Sequence, residues 1–392
     1  MKKILKENHV STFHEPPTSH YFAPATVLML GEGADVLKGV VLAATLEDGL
    51  YASVSHREDF SINLCLDFYD KKETHTIDLI NMDQDDTNRY VRLFRALIKK
   101  LQYESYTVQK GLDITIMSSE NLPGNLGLHP SFMMLSITVL NDQNRFGLDL
   151  KKLVRFAYQA ESDLRELNSN IAQHFTCAFA KKNHILSLDT KTLKYELIPF
   201  DHDNHTLMSV FVNRPKFIVD ADITDRIAAL RKSTTTISDF RSIEALSELS
   251  FDEFNRLKSK IKNAQTLQYS EHAYFEQERV TQAAEYLREG DYVMFGDTLE
   301  QSQNSIRELY GTSNVYFDDI ISKLMRTGAL GARLCDIGYD NIIIGLYEKA
   351  DTPENLSVFE KEFYSQYKKN LDIKPLALGD GLSALADDES DK

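Results

Sequence analysis

Short apolar runs crowd the first part of this chain, amphipathic helical runs fill its last part, and that order most restricts the fold. Residues 26–30, 40–46, 50–55, 61–68 and 74–80 read as strands, several with period-two alternation. Acidic residues Asp83, Asp85 and Asp86 then precede a helix, a favourable place for negative charge. That helix puts Tyr90, Leu93, Phe94, Leu97 and Leu101 on one side. Residues 112–117 are a further strand, 131–141 an apolar helix and 148–167 an amphipathic one. Strands return at 185–188 and 207–213. From Ile223 the pattern turns helical. Ser250-Phe-Asp-Glu253 is a capping box, with Phe254, Leu257 and Ile261 behind it. A helix over 277–289 stops at Gly290, another covers 293–309, and residues 342–347 form a buried strand. Residues 1–22, polar and carrying Pro16 and Pro17, are expected to be an irregular lead-in.

Strands early and helices late predict an α+β or mixed α/β chain of two domains, mixed sheets with packed helices. The expected division is residues 1–205, residues 206–385 and a disordered acidic tail at 386–392. With 42% hydrophobic and 26% charged residues, 392 positions suffice for a sizeable core. A net charge of -15 excludes nucleic acid and anionic membrane as main partners, because both need clustered Lys and Arg. It does not exclude a nucleotide, which backbone N–H groups can hold. Cys65, Cys177 and Cys335 show neither metal nor disulfide spacing and are expected to be reduced, buried thiols in a cytoplasmic protein. No apolar run reaches membrane-spanning length.

Four segments carry chemistry. In Ala23-Pro-Ala-Thr-Val-Leu-Met-Leu-Gly-Glu-Gly-Ala-Asp-Val-Leu-Lys-Gly39, Glu32 and Asp35 stand among glycines. They suit either vicinal hydroxyls or a simple turn. Asn121-Leu-Pro-Gly-Asn-Leu-Gly-Leu-His-Pro-Ser-Phe-Met133 is a glycine-containing loop leading into a helix. Such a loop is an anion cradle or a loop-to-helix turn with proline near the helix start. Asn168-Ser-Asn-Ile-Ala-Gln-His-Phe175 follows an amphipathic helix, and Ala332-Arg-Leu-Cys-Asp-Ile-Gly-Tyr-Asp-Asn-Ile342 lies near the end.

In order and spacing these segments resemble the galactokinases of the GHMP family of small-molecule kinases. The first resembles A-P-G-R-V-N-L-I-G-E-H-T-D-Y-N-G-G, matching at Pro24, Val27, Gly31, Glu32, Asp35 and Gly39. The resemblance implies sugar contacts at Glu32 and Asp35, with Gly33 in the place of a His and Thr26 in that of a catalytic Arg. The second resembles the phosphate loop P-L-G-A-G-L-S-S-S-A-A, matching at Pro123, Gly127, Leu128 and Ser131. Nucleotide contacts at Gly127, Leu128 and Ser131, the hydroxyl near Mg²⁺, are what it implies. Departures are Asn125, Leu126, His129, Pro130, Phe132 and Met133; Pro130 removes an N–H donor.

The third resembles C-G-I-M-D-Q-F, whose Asp faces the attacking sugar hydroxyl; that place is Gln173, an amide unable to accept a proton near neutral pH. The fourth resembles A-R-M-T-G-A-G-F-G-G-C and keeps Arg333 and Gly338. Asp336, Asp340 and Asn341 replace its glycines, and the two acids would repel a triphosphate. Packing stretches at 157–161, 175–200, 278–291 and 328–333 extend the likeness over most of the chain.

The resemblance implies a two-domain GHMP-kinase-like fold with a cleft between the domains. It implies a protein that binds galactose, a related sugar or a regulatory protein partner without efficient phosphoryl transfer, a pseudokinase with no resident metal. The alternative is an active kinase of divergent specificity, using ATP and Mg²⁺ through a site rebuilt from Asp35, His174, Asp336 or Asp340.

Overall fold

The computed structural model describes residues 1–68, 71–83, 86–120, 122, 128–164, 171–211, 223–335, 342–368 and 370–386, with backbone alone at 351–355. The chain opens with α1 (Lys2–Phe13), so the irregular lead-in expected at 1–22 is replaced by a helix. Its buried residues, Leu5 and His9, are one turn apart. Those two positions are too few to show periodicity in the sequence. His9 bridges Ser53 and Ser55 hydroxyls, each at 3.0 Å, which satisfies both ring nitrogens.

The strands β1 (Ser19–Leu30), β2 (Val40–Arg57), β3 (Ser61–Phe68), β4 (Lys71–Asp78) and β5 (Gly111–Ser118) follow the expected order. With β6 (His184–Asp189), β7 (Tyr195–Pro199) and β12 (Ser383–Leu385) they make one sheet. Its main order among the described residues is β12-β1-β2-β5-β3-β4, and β6 and β7 join beside β2. Only the β3–β5 pair is parallel among these described pairings. The two strands expected over 40–55 are one long strand. It pairs with β6 through Val40–Ala43 and with β5 through Leu50–Arg57. Gly49 permits the continuity, since a Cβ there would lie 2.2 Å from the Ala23 carbonyl, beside the bulge at Pro24/Thr26.

Helices α2 (Arg89–Tyr103), α3 (Leu128–Gln143), α4 (Leu150–Asp163) and α5 (Ile171–Phe179) pack in this half. The α3 helix is buried at every position from Leu128 to Asn141, as a central helix must be when it is apolar all round. A second sheet, β11-β8-β10-β9, combines β8 (His205–Phe211), β9 (Gly331–Cys335), β10 (Ile342–Glu348) and β11 (Asp372–Pro375). Its core draws Phe317 and Ile320 from α10 (Val315–Arg326) and Phe359 and Phe363 from α11 (Thr352–Tyr367).

A helical cluster forms from α6 (Ile223–Ser238), α7 (Phe251–Leu257) and α8 (Ala264–Glu289), while α9 (Tyr292–Ser305) sends Tyr292, Phe295 and Leu299 into the core of the first sheet. The capping box at Ser250 is present, and Gly290 ends α8 in the left-handed region, as the sequence predicts. Into this cluster the turn between β1 and β2 inserts Leu37. Leu37, with Val36 packed beside it, helps tie the loop carrying Glu32 and Asp35 to the later helices. The tail residues 387–392 lie outside the described residues.

Candidate functional site

The β1–β2 turn is a chain of close backbone hydrogen bonds, Ala34 N–H to Gly31 O at 3.1 Å and Gly39 N–H to Ala34 O at 2.8 Å among them. It needs glycine at Gly31, where φ is +116° and a Cβ would press on Val41 at 2.7 Å. The Gly31 N–H donates to Glu276 Oε1 at 3.1 Å, so α8 holds the turn from below.

Glu276 is the hub of a buried charge network. Arg279 Nε donates to it at 2.7 Å and Ser302 Oγ at 2.7 Å. Arg333 Nη1 lies 3.5 Å away and donates to the Met29 carbonyl at 2.5 Å. Burial alone would raise Glu276, but Arg279, Arg333 and His272 outweigh it and pull the carboxyl down to about 2. Arg333 also pairs with Glu32 Oε2. Glu32 behaves oppositely: burial, aided by repulsion from Glu276, outweighs Arg333 and pushes it up to about 7. Its second oxygen, Oε1, is buried and has no hydrogen-bond partner among the described residues. Asp35, half-buried, is pushed up to about 6 by burial against nearby backbone N–H groups.

His272 locks the back of the turn. Its Nε2 contacts the Glu32 carbonyl at 3.1 Å and its Nδ1 the Ser305 hydroxyl at 2.9 Å. A carbonyl only accepts, so Nε2 carries the proton and Nδ1 accepts from Ser305. Burial lowers this ring to about 3, which keeps it neutral. Tyr310 stacks on it at 4.5 Å and reaches the turn at Gly33.

The remaining described candidate positions are buried. Thr26, fully buried on β1, has an Oγ1 without a partner. Gln173 is buried on α5. His174 Nε2 lies 2.9 Å from Glu161 Oε2 in the core, both nearly inaccessible. Ser131 Oγ donates to the Pro24 carbonyl at 2.6 Å, joining α3 to β1. Leu128 is core, and Phe132 packs on Tyr90 at 4.9 Å and Phe94 at 6.5 Å. His129 stacks on Tyr90 at 5.5 Å and is lowered to about 4 by burial and Arg89. Gly127, Gly338, Asp336, Asp340 and Asn341 lie outside the described residues.

The structure thus brings Glu32, Asp35 and Arg333 around one turn. The supporting residues Glu276 and His272 carry no sequence signal; the sole hint is Arg279, within the Glu278-Arg-Val packing stretch.

No family model matches the chain. It is 29% identical over 375 residues to the galactokinase of Clostridium tetani, spanning 95% of this chain and 93% of that one. It is 24% identical over 388 residues to the galactokinase of Enterococcus faecalis, spanning 98% and 100%. Lactococcus lactis galactokinase, solved in complex with galactose, matches the fold with a TM-score of 0.89 at 23% identity, over 98% of this chain and 100% of that one. The Methanococcus jannaschii mevalonate kinase matches at 0.63 and 15% identity, over 92% and 98%.

Proposed function

We propose that this chain, a member of the GHMP kinase superfamily that resembles galactokinase, is a sugar-binding protein of the cytoplasm with little or no phosphoryl transfer. The observation that carries this reading is on α5: Gln173 stands in the place of the acid, and the imidazole beside it is committed to Glu161. Loss of a general base costs ~10²–10⁴ in rate. Loss of a charged stabiliser, the guanidinium replaced by Thr26, costs about 10²–10³, and such losses do not simply add.

Ser131 is a poor place for a Mg²⁺ ligand too, because it is wholly buried where its hydroxyl joins α3 to β1. Sugar binding, by contrast, has carboxyl acceptors on the turn. Glu32 Oε1 is desolvated and unpartnered, a costly state that a ligand hydroxyl would relieve. Asp35 supplies a second acceptor on the same turn. Galactose, or a hexose of its kind, is the ligand class.

The test uses purified full-length protein. Calorimetry with galactose is expected to show binding that Asp35→Asn weakens. ADP release from ATP in the presence of galactose is expected to stay far below the ordinary ~1–100 s⁻¹ of kinases. Turnover within that range would overturn the reading. Absence of galactose binding would transfer the role to a regulatory protein partner. One observation favours a second reading, an active ATP-dependent kinase of divergent specificity. Asp35, held at about 6, is poised near working pH as a base. Substantial turnover that Asp35→Asn abolishes would establish it.

A further inference from the structure

Strand β4 ends the first sheet, and among the described residues no strand pairs with its outer side. It has eight residues. The other strands that end a sheet, β12, β11, β9 and β7, have three, four, five and five. β4 is therefore the longest edge that the described residues leave unpaired.

One bond settles which of its groups are unused. Leu79 N–H donates to the Phe60 carbonyl at 2.9 Å, just beyond the pair Ser61–Asp78. Bonded pairs alternate along an antiparallel ladder. Ile77, His75, Glu73 and Lys71 thus bond β3, and Lys72, Thr74, Thr76 and Asp78 turn their N–H and C=O groups outward. No described residue bonds these outward groups. Such a row is a template for another strand. Lys72, Thr74 and Thr76 are exposed, and Ile80, just past the strand, is 80% exposed.

Register and charge decide which strand fits. If β4 meets β4 of a second copy in antiparallel fashion, outward groups must face outward groups, so even-numbered residues pair with even-numbered ones. One such register sets Lys72 opposite Asp78 and Thr74 opposite Thr76, on both sides of the two-fold axis. Opposite charges and threonine pairs are favourable cross-strand neighbours. Between them Glu73 meets Ile77 and His75 meets its own copy, so no like charges oppose. Slipping to the next even register breaks both Lys72–Asp78 pairs. Edge lysines ordinarily keep strands apart; this one has an acid opposite it in a single register. Lys72 also reaches Asn8 Oδ1, and Asp78 accepts from Ile80 N–H at 2.8 Å. Both contacts are exposed and leave an ammonium donor and a carboxylate acceptor to spare.

We propose that β4 is a dimerisation strand: two copies of this chain pair edge to edge through it, in the register that joins Lys72 to Asp78, and their first sheets become one. β5 and β3 stand between β4 and β2, so the turn bearing Glu32 and Asp35 stays open in the dimer. The proposal is independent of what that turn binds.

Sedimentation of the full chain over a range of concentrations tests it. The wild type is expected to show a monomer–dimer equilibrium. Thr74→Pro is expected to abolish the dimer with circular dichroism and melting unchanged, since this N–H faces outward and proline there takes no bond from β3. Lys72→Glu and Asp78→Lys are each expected to weaken the dimer about tenfold or more, and the double variant to restore it. These charge variants decide the matter if Thr74→Pro does not fold. A wild type that stays monomeric up to ~1 mM would overturn the proposal and leave the edge to an extended segment of a different protein. A dimer untouched by Thr74→Pro would also overturn it, by placing the interface elsewhere. Failure of the double variant to recover the dimer would overturn the register.

Discussion

Replacing Glu32 by glutamine isolates the electrostatic state of the buried turn. In the folded chain its carboxyl is pushed from 4.5 to about 7, because burial and Glu276 outweigh Arg333. At 1.36 kcal/mol per pH unit, that difference is worth ~3 kcal/mol. The folded state holds this proton more tightly than the unfolded state. Glu32 therefore contributes stability that is fully present below about pH 4.5 and is lost as pH rises through about 7. Glutamine does not titrate, so the variant lacks this dependence. Other groups act in the reverse sense. Glu276, pulled down to about 2, and His9, His129 and His272, lowered to about 4, 4 and 3, stabilise the fold above their unfolded values. That stability is lost as pH falls. Those contributions are common to both proteins and cancel in the difference. Urea unfolding from about pH 5 to pH 8, with slopes checked for equality, gives the stability of wild type minus Glu32→Gln at each pH. This difference is expected to fall with rising pH, approaching a total change of ~3 kcal/mol over the full window. A difference flat to within about 0.5 kcal/mol would refute the assignment and place Glu32 as a fully compensated ion-pair partner.

Phe132→Ala is expected to cost ~3–5 kcal/mol, since the ring is wholly buried against Tyr90 and Phe94, and thermal unfolding measures it. His174→Leu leaves Glu161 without its imidazole in the core, and a loss of ~3–5 kcal/mol is expected in urea, partly recovered by adding Glu161→Gln. Ser131→Ala removes the bond to Pro24 and is expected to lower stability by about 1–2 kcal/mol. The same change is expected to leave Mg²⁺-ATP binding, followed by calorimetry, where it was. A marked fall in nucleotide affinity would return Ser131 to the phosphate site.

The framework was legible because packing leaves local, periodic traces. The α2 face, the Ser250 capping box and the strands β3 and β5 all stand within a few residues of where alternation or caps put them. The helix α1 escaped because its burial rests on Leu5 and His9 alone. The long β2 escaped because Gly49 reads as punctuation, yet it serves a close backbone approach. At the site, Thr26 and Gln173 could be picked out as departures, but what surrounds them could not. The contacts that decide the chemistry join Arg333 to Glu32 and Met29, and Glu276 to Gly31, across most of the chain's length. No periodicity records a pairing at that range.

These contacts also show how the kinase-like fold settles its buried polar groups. Here Glu161, Glu276 and Ser131 are each paired inside the protein. Glu32 Oε1 and Asp35 alone on the turn keep an unsettled state, one unpartnered and the other held near pH 6. On the reading proposed above, those two carboxyls are the groups that hold a hydroxylated ligand.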